Sequence, residues 1–499
     1  MHESSNSGVL SPLINTEEIF SENQNINQNI QPSPPPFSKF IYFTAFFSAF
    51  ITAFPFFAMF LKGSDYETSY GNYYSLVFTF MGLISITSSL SNWEKRIYSG
   101  FFLNISVFLF FSLLPFASFI NGNSAFFSVL ILSIILSGSA GYAQSPLFSF
   151  ISLLSPVYIQ AMLSGQAVAG IISSVFQLAV AYATSSTPPN LNTQTELPKG
   201  LKIRTFICFS VSSLIVLFSL SLIFFMKKLP VYTQQIEYFD FINQPIPEET
   251  YQITLPEQGS PLKEKLANII EILSDTANYS HTLVMVFVVT LSIFPTLTAK
   301  VNISNPQYHI PFLVEWHFVL FNVGDCIGRF SASFFNIHMS FAFSVFEYLY
   351  GVLNRIFALS SLNRLQISKN HFFSILILLG AYLRWAFAPI FYSMSKCSSS
   401  NINFTPQTLS SIPFGEITPA LAGVPQYLSH STSSSLRNIY FLILDLIFGI
   451  SNGYLASVAL MDGPQHSKDP GLAAGVMSFV LNFGLTLGSI ISFPISSKC

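Results

Sequence analysis

Charge is what this sequence has least of. Of its 499 residues only 9% are Asp, Glu, Lys or Arg, where a soluble globular chain carries about 25%. So few charges cannot cover the surface of a water-soluble protein of this length, and an ordinary cytosolic enzyme is excluded. The formal net charge is -2, so no basic excess exists to grip a phosphate backbone, and no nucleic-acid partner is expected. Cysteine is scarce as well. Cys208, Cys326, Cys397 and Cys499 lie far apart with no CxxC spacing, which speaks against a zinc site and against a disulfide framework. GxxxxGK[ST] is missing, so nothing indicates an ATP-driven step, and HExxH does not occur either. These absences favour a carrier without cofactor or metal over a pump or a membrane-embedded enzyme.

What is present is apolar. Hydrophobic residues make up 51% and aromatics 16%, with 55 phenylalanines, the composition of a chain whose solvent is mostly lipid. A bilayer core of about 30 Å is crossed by about 20 mostly apolar helical residues. Such runs recur about eleven times, near 40–61, 73–91, 97–120, 124–148, 157–183, 204–226, 281–301, 311–335, 371–394, 437–460 and 471–495. The expected fold class is therefore an all-α integral membrane protein of about eleven transmembrane helices, divided six plus five. Residues 1–36 are polar, rich in Asn, Gln, Ser and Pro, and read as a disordered tail rather than a signal peptide. Residues 37–228 would form an N-terminal six-helix bundle, 229–280 a central cytoplasmic loop and 281–499 a C-terminal five-helix bundle. Two bundles joined by a long loop are a common layout of secondary transporters, which bind substrate between them near the midplane.

Lys and Arg fall slightly more often on the side that holds the N-terminus, so that side is expected to be cytoplasmic. The sequons Asn302-Ile303-Ser304 and Asn403-Phe404-Thr405 then face out and are glycosylation candidates. The stretch 336–370 admits two readings, an amphipathic helix on the inner face or a further short span that would flip the topology after it.

In a lipid-embedded protein, polar residues inside the spans are functional candidates by default, because each costs several kcal/mol unless paired. The candidates are Gln144, Glu315, Asn322, Asp325, Arg329, Arg384 and Asp445. Asp325 and Arg329 stand at i and i+4 in FNVGDCIGRF, on one helix face and within mutual reach, and Asn322 joins that face. A carboxylate, a guanidinium and an amide on one stripe suit a polyhydroxylated ligand; the same stripe also fits an internal ion pair that holds the bundle. Gln144, in SAGYAQSPLF, offers an amide that suits a base edge or, equally, an interhelical hydrogen bond. Arg384 is read as the partner of another buried acid and Asp445 as its mate or as a group that titrates during transport. Glu315 and His317 are expected to face water at the outer end of their span. The small residues of MLSGQAVAG and the two GxxxG steps Gly471/Gly475 and Gly484/Gly488 read as close helix contacts.

Four blocks together resemble the equilibrative nucleoside transporter family: SPLFSFISLLSPVYIQAMLSGQAVAG with Gln144 just ahead of it, TLSIFPTLTAKV, FNVGDCIGRF, and ISNGYLASVALMDGP continuing into AAGVMSFVLNFGLTLGSIISF. The resemblance implies a major-facilitator-like fold working by alternating access, with nucleosides or nucleobases passing between the halves. It implies that Asp325 and Arg329 hold the ribose hydroxyls, that Gln144 binds the base and that Asn322 lines the cavity. The family's P-W-N pattern stands here as Pro55-Phe56-Phe57, which puts Phe56 where a tryptophan would stack and removes the indole donor. Asp445 replaces an expected apolar residue, which raises a second expectation of proton-coupled transport, with Arg384 and Asp445 as gating or coupling residues. A major-facilitator-like carrier of another small metabolite is the remaining alternative. The plasma membrane is the expected location, with vacuolar or other internal membranes next.

Overall fold

The computed structural model describes residues 66, 70–86, 93–117, 123–152, 156–184, 199–226, 261–300, 312–334, 344–345, 348, 369–395 and 434–496. Apolar sequence with few β-branched runs and few interior prolines forms helices wherever it is described. They are α1 Tyr70–Ile86, α2 Trp93–Leu113, α3 Asn123–Ser152, α4 Pro156–Thr184, α5 Lys199–Met226, α6 Pro261–Asp275, α7 Ala277–Ile293, α8 Leu313–Ser331, α9 Lys369–Leu383, α10 Phe387–Met394, α11 Ser434–Asp462 and α12 Pro470–Ser496. The second to eleventh expected spans each coincide with helix; the first, with Phe56, lies outside the described residues, as do both sequons and nearly all of 336–370.

Among the described residues, six stretches are long and apolar enough to cross a membrane by length and composition: Lys95–Phe116, Asn123–Ser149, Ile159–Ala183, Phe372–Met394, Asn438–His466 and Pro470–Ile495. The protein is thus an all-helical, multi-pass membrane protein. Three of the other expected spans fall short for identifiable reasons, although α7 passes together with α6 as a bent pair. Helices α1 and α7 have 17 residues each, about 26 Å. Helix α8 carries Glu315, Asp325 and Arg329 within 19 residues. Large apolar side chains such as Phe102, Phe110, Leu214, Phe218 and Leu383 point outward, as lipid-facing residues do.

Local chemistry sets the element ends. Pro470 opens α12, and the Asp469 carboxylate caps it by accepting the Leu472 N–H at 2.9 Å, the usual combination for a helix start. Helix α7 stops before Pro295, which lacks the N–H needed to continue the ladder. Between α6 and α7 the axis turns by 82° at the buried Thr276, whose hydroxyl donates to the Ile272 carbonyl at 2.8 Å. This helix lies within the 229–280 stretch expected to be loop. Its Glu271 accepts from Lys468 of the α11–α12 turn at 2.7 Å, and that carboxylate holds the Lys468 ammonium above the usual lysine range. Residues 384–386 form a 3-10 turn between α9 and α10. Pro389 explains it: the ring crowds the carbonyl four residues back, at Trp385, and removes that carbonyl's helical donor.

Glycines decide which helices approach most closely. Gly324 and Gly328 of α8 face Gly449 and Gly453 of α11, a GxxxG step on each helix. A Cβ on any of the four would sit well inside contact distance of the facing backbone, the Asp325 carbonyl oxygen in the case of Gly453. Backbones this close gain dispersion contacts that lipid cannot supply. The expected Gly484/Gly488 step of α12 meets the backbone of α7 at Val284, Phe287 and Val288. Helices before and after the central stretch also touch each other: α4 packs on α8, and α1 and α3 pack on α12.

A buried polar chain on the α8–α11 crossing

The glycine crossing brings the polar faces of α8 and α11 together. Asp325 uses both carboxylate oxygens. Oδ2 accepts from Arg329 Nε at 2.7 Å, and Oδ1 accepts from Asn452 Nδ2 at 2.7 Å. Asn452 Oδ1 in turn accepts from Thr290 of α7 at 2.7 Å and from Arg384 of the 3-10 turn at 3.2 Å. These donors orient the amide: its oxygen faces Thr290 and Arg384, and its nitrogen faces the carboxylate. Four elements therefore meet in one chain of bonds running from Arg329 through Asp325 and Asn452 to Arg384.

Arg384 is buried, yet its closest polar contacts are neutral. It also donates to the Val286 carbonyl at 3.1 Å and the Phe448 carbonyl at 3.4 Å, and its guanidinium lies 4.5 Å from the centre of the Phe448 ring. Three carbonyl-type oxygens and an aromatic face offset part of the desolvation of this cation. Asp325 and Arg329 differ from it in access, since their side chains remain 8% and 13% exposed. Arg329 also donates to the Leu163 carbonyl of α4 at 3.2 Å, which ties the chain to the helices before the central stretch.

The remaining candidates separate. Asn322 spends its amide N–H on the Phe318 carbonyl of its own helix, at 2.8 Å. Gln144, half-buried on α3, has no hydrogen-bonding partner among the described residues. It sits two residues before Pro146, which interrupts the α3 ladder and frees the Tyr142 carbonyl. Two expectations are corrected. Asp445 does not pair with Arg384: its Oδ2 lies 3.4 Å from His317 Nδ1, with both side chains fully buried. Glu315 and His317 do not face water, being 7% and 0% exposed. An imidazole in the first turns of an apolar helix reads as an end residue until a facing acid is known. Asn452 and Thr290 were missed altogether, although the rule that flagged Asp445 applies equally to an amide inside a span.

A sequence profile described as the nucleoside transporter family matches residues 129–344 and 340–497. Equilibrative nucleoside transporter 2 of Mus musculus is 25% identical over 245 residues, 48% of this chain and 40% of that protein. Nucleoside transporter FUN26 of Saccharomyces cerevisiae is 22% identical over 437 residues, 80% of this chain and 70% of that protein. The chain matches only about 40% of the length of the mouse relative. Among solved structures, a crystal structure of the major facilitator superfamily transporter FucP in the outward conformation aligns with a TM-score of 0.42 at 12% identity, covering 92% of this chain and 95% of that one. The extent of the profile match assigns the family: this chain belongs to the nucleoside transporter family.

Proposed function

We propose that this protein carries nucleosides across a membrane down their gradient, by alternating access of two helix bundles about a site at the α8–α11 crossing. The observation that carries the reading is the Asp325–Arg329 pair, the part of the buried polar chain that keeps solvent exposure, with Arg329 bonded across to α4. Asp325 accepts from ribose hydroxyls and Arg329 donates to them. In the empty carrier the two satisfy each other. Substrate shifts the carrier between states only through unequal affinity for them, and a clamp that trades an internal bond for ligand bonds supplies such a difference. Gln144, with its amide unengaged, is the proposed contact for the base; Asn322 lines the same cavity and Phe56 stacks on the substrate. Nucleobases share the base-binding half of this site and are the proposed second cargo. The bundles are 37–228 and 281–499, joined by 229–280, and a major-facilitator-like arrangement with a cytoplasmic N-terminus in the plasma membrane completes the proposal.

The test is uptake of radiolabelled adenosine in cells lacking their own nucleoside carriers. Asp325→Asn and Arg329→Ala, matched to wild type for surface protein, are each expected to lower uptake at least about tenfold, the scale of one lost charge-assisted hydrogen bond. Normal uptake by both variants would sink the site, and competition by sugars but not by nucleosides would change the cargo.

A further inference from the structure

The His317–Asp445 pair takes no part in the polar chain described above. Both residues are fully buried, and Nδ1 lies 3.4 Å from Oδ2. The other polar atom of each, His317 Nε2 and Asp445 Oδ1, has no partner. Aromatic rings enclose them. Phe294 just after α7, Phe318 of α8 and Phe441 of α11 lie with centroids 5.2, 4.4 and 6.0 Å from the imidazole, and Phe391 of α10 packs on Phe441. Two charged or titratable groups lie nearby. Glu315 is buried two residues away on α8. Arg384 reaches Phe448, one turn from Asp445 on α11, and bonds there to Asn452 and to carbonyls rather than to Asp445.

We propose that His317 and Asp445 form a binding site for one proton, which crosses the membrane with each nucleoside. This rests on the transport reading above and adds the proton gradient to the nucleoside's own gradient as a driving force. With one proton shared between imidazole and carboxylate the pair has no net charge, whichever atom holds it. With none, a bare carboxylate would be sealed among phenylalanine rings, and an uncompensated buried charge costs several kcal/mol. The closed packing around the pair therefore requires the proton to be aboard. When the crossing opens to water, hydration of the two groups lets that proton be exchanged.

The coupling to substrate is mechanical. His317 and Asp325 stand on α8 about 12 Å apart, and Asp445 and Asn452 on α11 about 10 Å apart. The pair and the Asp325–Asn452 bond thus bridge the same two helices. Gly324, Gly328, Gly449 and Gly453 hold the two backbones in close contact beside the Asp325–Asn452 bond. A change in separation at one bridge is carried to the other. The proton is taken up at the imidazole or the carboxylate and given back to water, and the nucleoside is unchanged: one proton and one nucleoside enter from the same side and leave on the other, carrying one net positive charge.

The test uses wild-type protein in liposomes with a pH-sensitive dye inside, valinomycin and potassium to clamp the voltage, and labelled adenosine outside. Adenosine entry should acidify the lumen, and its initial rate should be higher at external pH 5.5 than at 7.5, because the inward proton gradient adds to the driving force. The double variant His317→Gln/Asp445→Asn should still admit adenosine, with no acidification and a flat pH profile. Wild-type entry without acidification would overturn proton coupling and leave the transport reading standing. Acidification that persists in the transporting double variant would overturn the assignment to this pair. Failure of wild type to admit adenosine at any pH would overturn the transport reading together with the proton site. The wild-type measurement decides even where the variants do not fold.

Discussion

Asn452 joins two charged groups that do not touch. Its amide donates to Asp325 and accepts from Arg384 and Thr290. Removing it leaves a buried carboxylate oxygen and a buried guanidinium N–H unsatisfied at once. Asn452→Ala is therefore expected to destabilise the protein by about 2–4 kcal/mol, the scale for orphaning charged hydrogen-bonding groups, read as a lowered melting temperature in detergent. Thr290→Val is the control. Thr290 also donates to its own helix at Val286, so this change should cost about 1 kcal/mol. Equal losses in the two variants would mean that Asn452 is not the hub. Arg384→Lys should not substitute for the arginine, because a single ammonium cannot reach the Val286, Asn452 and Phe448 oxygens together while stacking on the Phe448 ring.

At the scale of elements, the α8–α11 crossing is built from absent side chains. Gly453→Ala places a methyl group against the Asp325 carbonyl, where backbone rather than a flexible side chain would have to move. It should reduce folded, surface-resident protein severely, a loss of about 3 kcal/mol or more by overpacking. Gly138, inside α3, has nothing within 4 Å of the same added atom. Gly138→Ala should leave stability unchanged or raise it by up to about 1 kcal/mol through helix propensity. Fluorescence-detected size-exclusion after a heating series separates the two. Similar losses for both would show that glycine matters here through something other than close approach. The 3-10 turn ahead of Pro389 acts at the same scale, since it is the element from which Arg384 reaches the crossing.

At the scale of the molecule, the helices on either side of the central stretch hold each other in more than one place. Arg329 reaches Leu163, Trp316 Nε1 donates to the Tyr182 hydroxyl at 3.2 Å, and the Ser75 and Ser489 hydroxyl oxygens lie 2.9 Å apart. If transport requires the bundles to rock, these contacts must break in each cycle. Ser75→Cys/Ser489→Cys places two thiols within disulfide reach. Oxidation is expected to abolish uptake, and dithiothreitol to restore it. Undiminished uptake by a fully cross-linked protein would show that α1 and α12 do not separate during transport.

Much of this was legible in the sequence, for a physical reason. Residency in lipid follows from composition, helices follow from length and hydropathy, and the Asp325–Arg329 bond follows from the helical period, which brings i and i+4 together whatever surrounds them. Each of these depends on neighbours along the chain. The partners of Arg384, Asp445 and His317 depend on neighbours across helices. Charge alone paired Arg384 with Asp445, because Asp325 already had Arg329 and Glu315 was expected to face water. Only the tertiary structure could decide otherwise: the glycine crossing sets the rotation of α11 so that Asp445 faces His317 and Asn452 faces Asp325, while the 3-10 turn delivers Arg384 to Asn452. Helix rotation and crossing are set by which small residues allow backbones to meet, and that is a property of pairs of helices, not of either one.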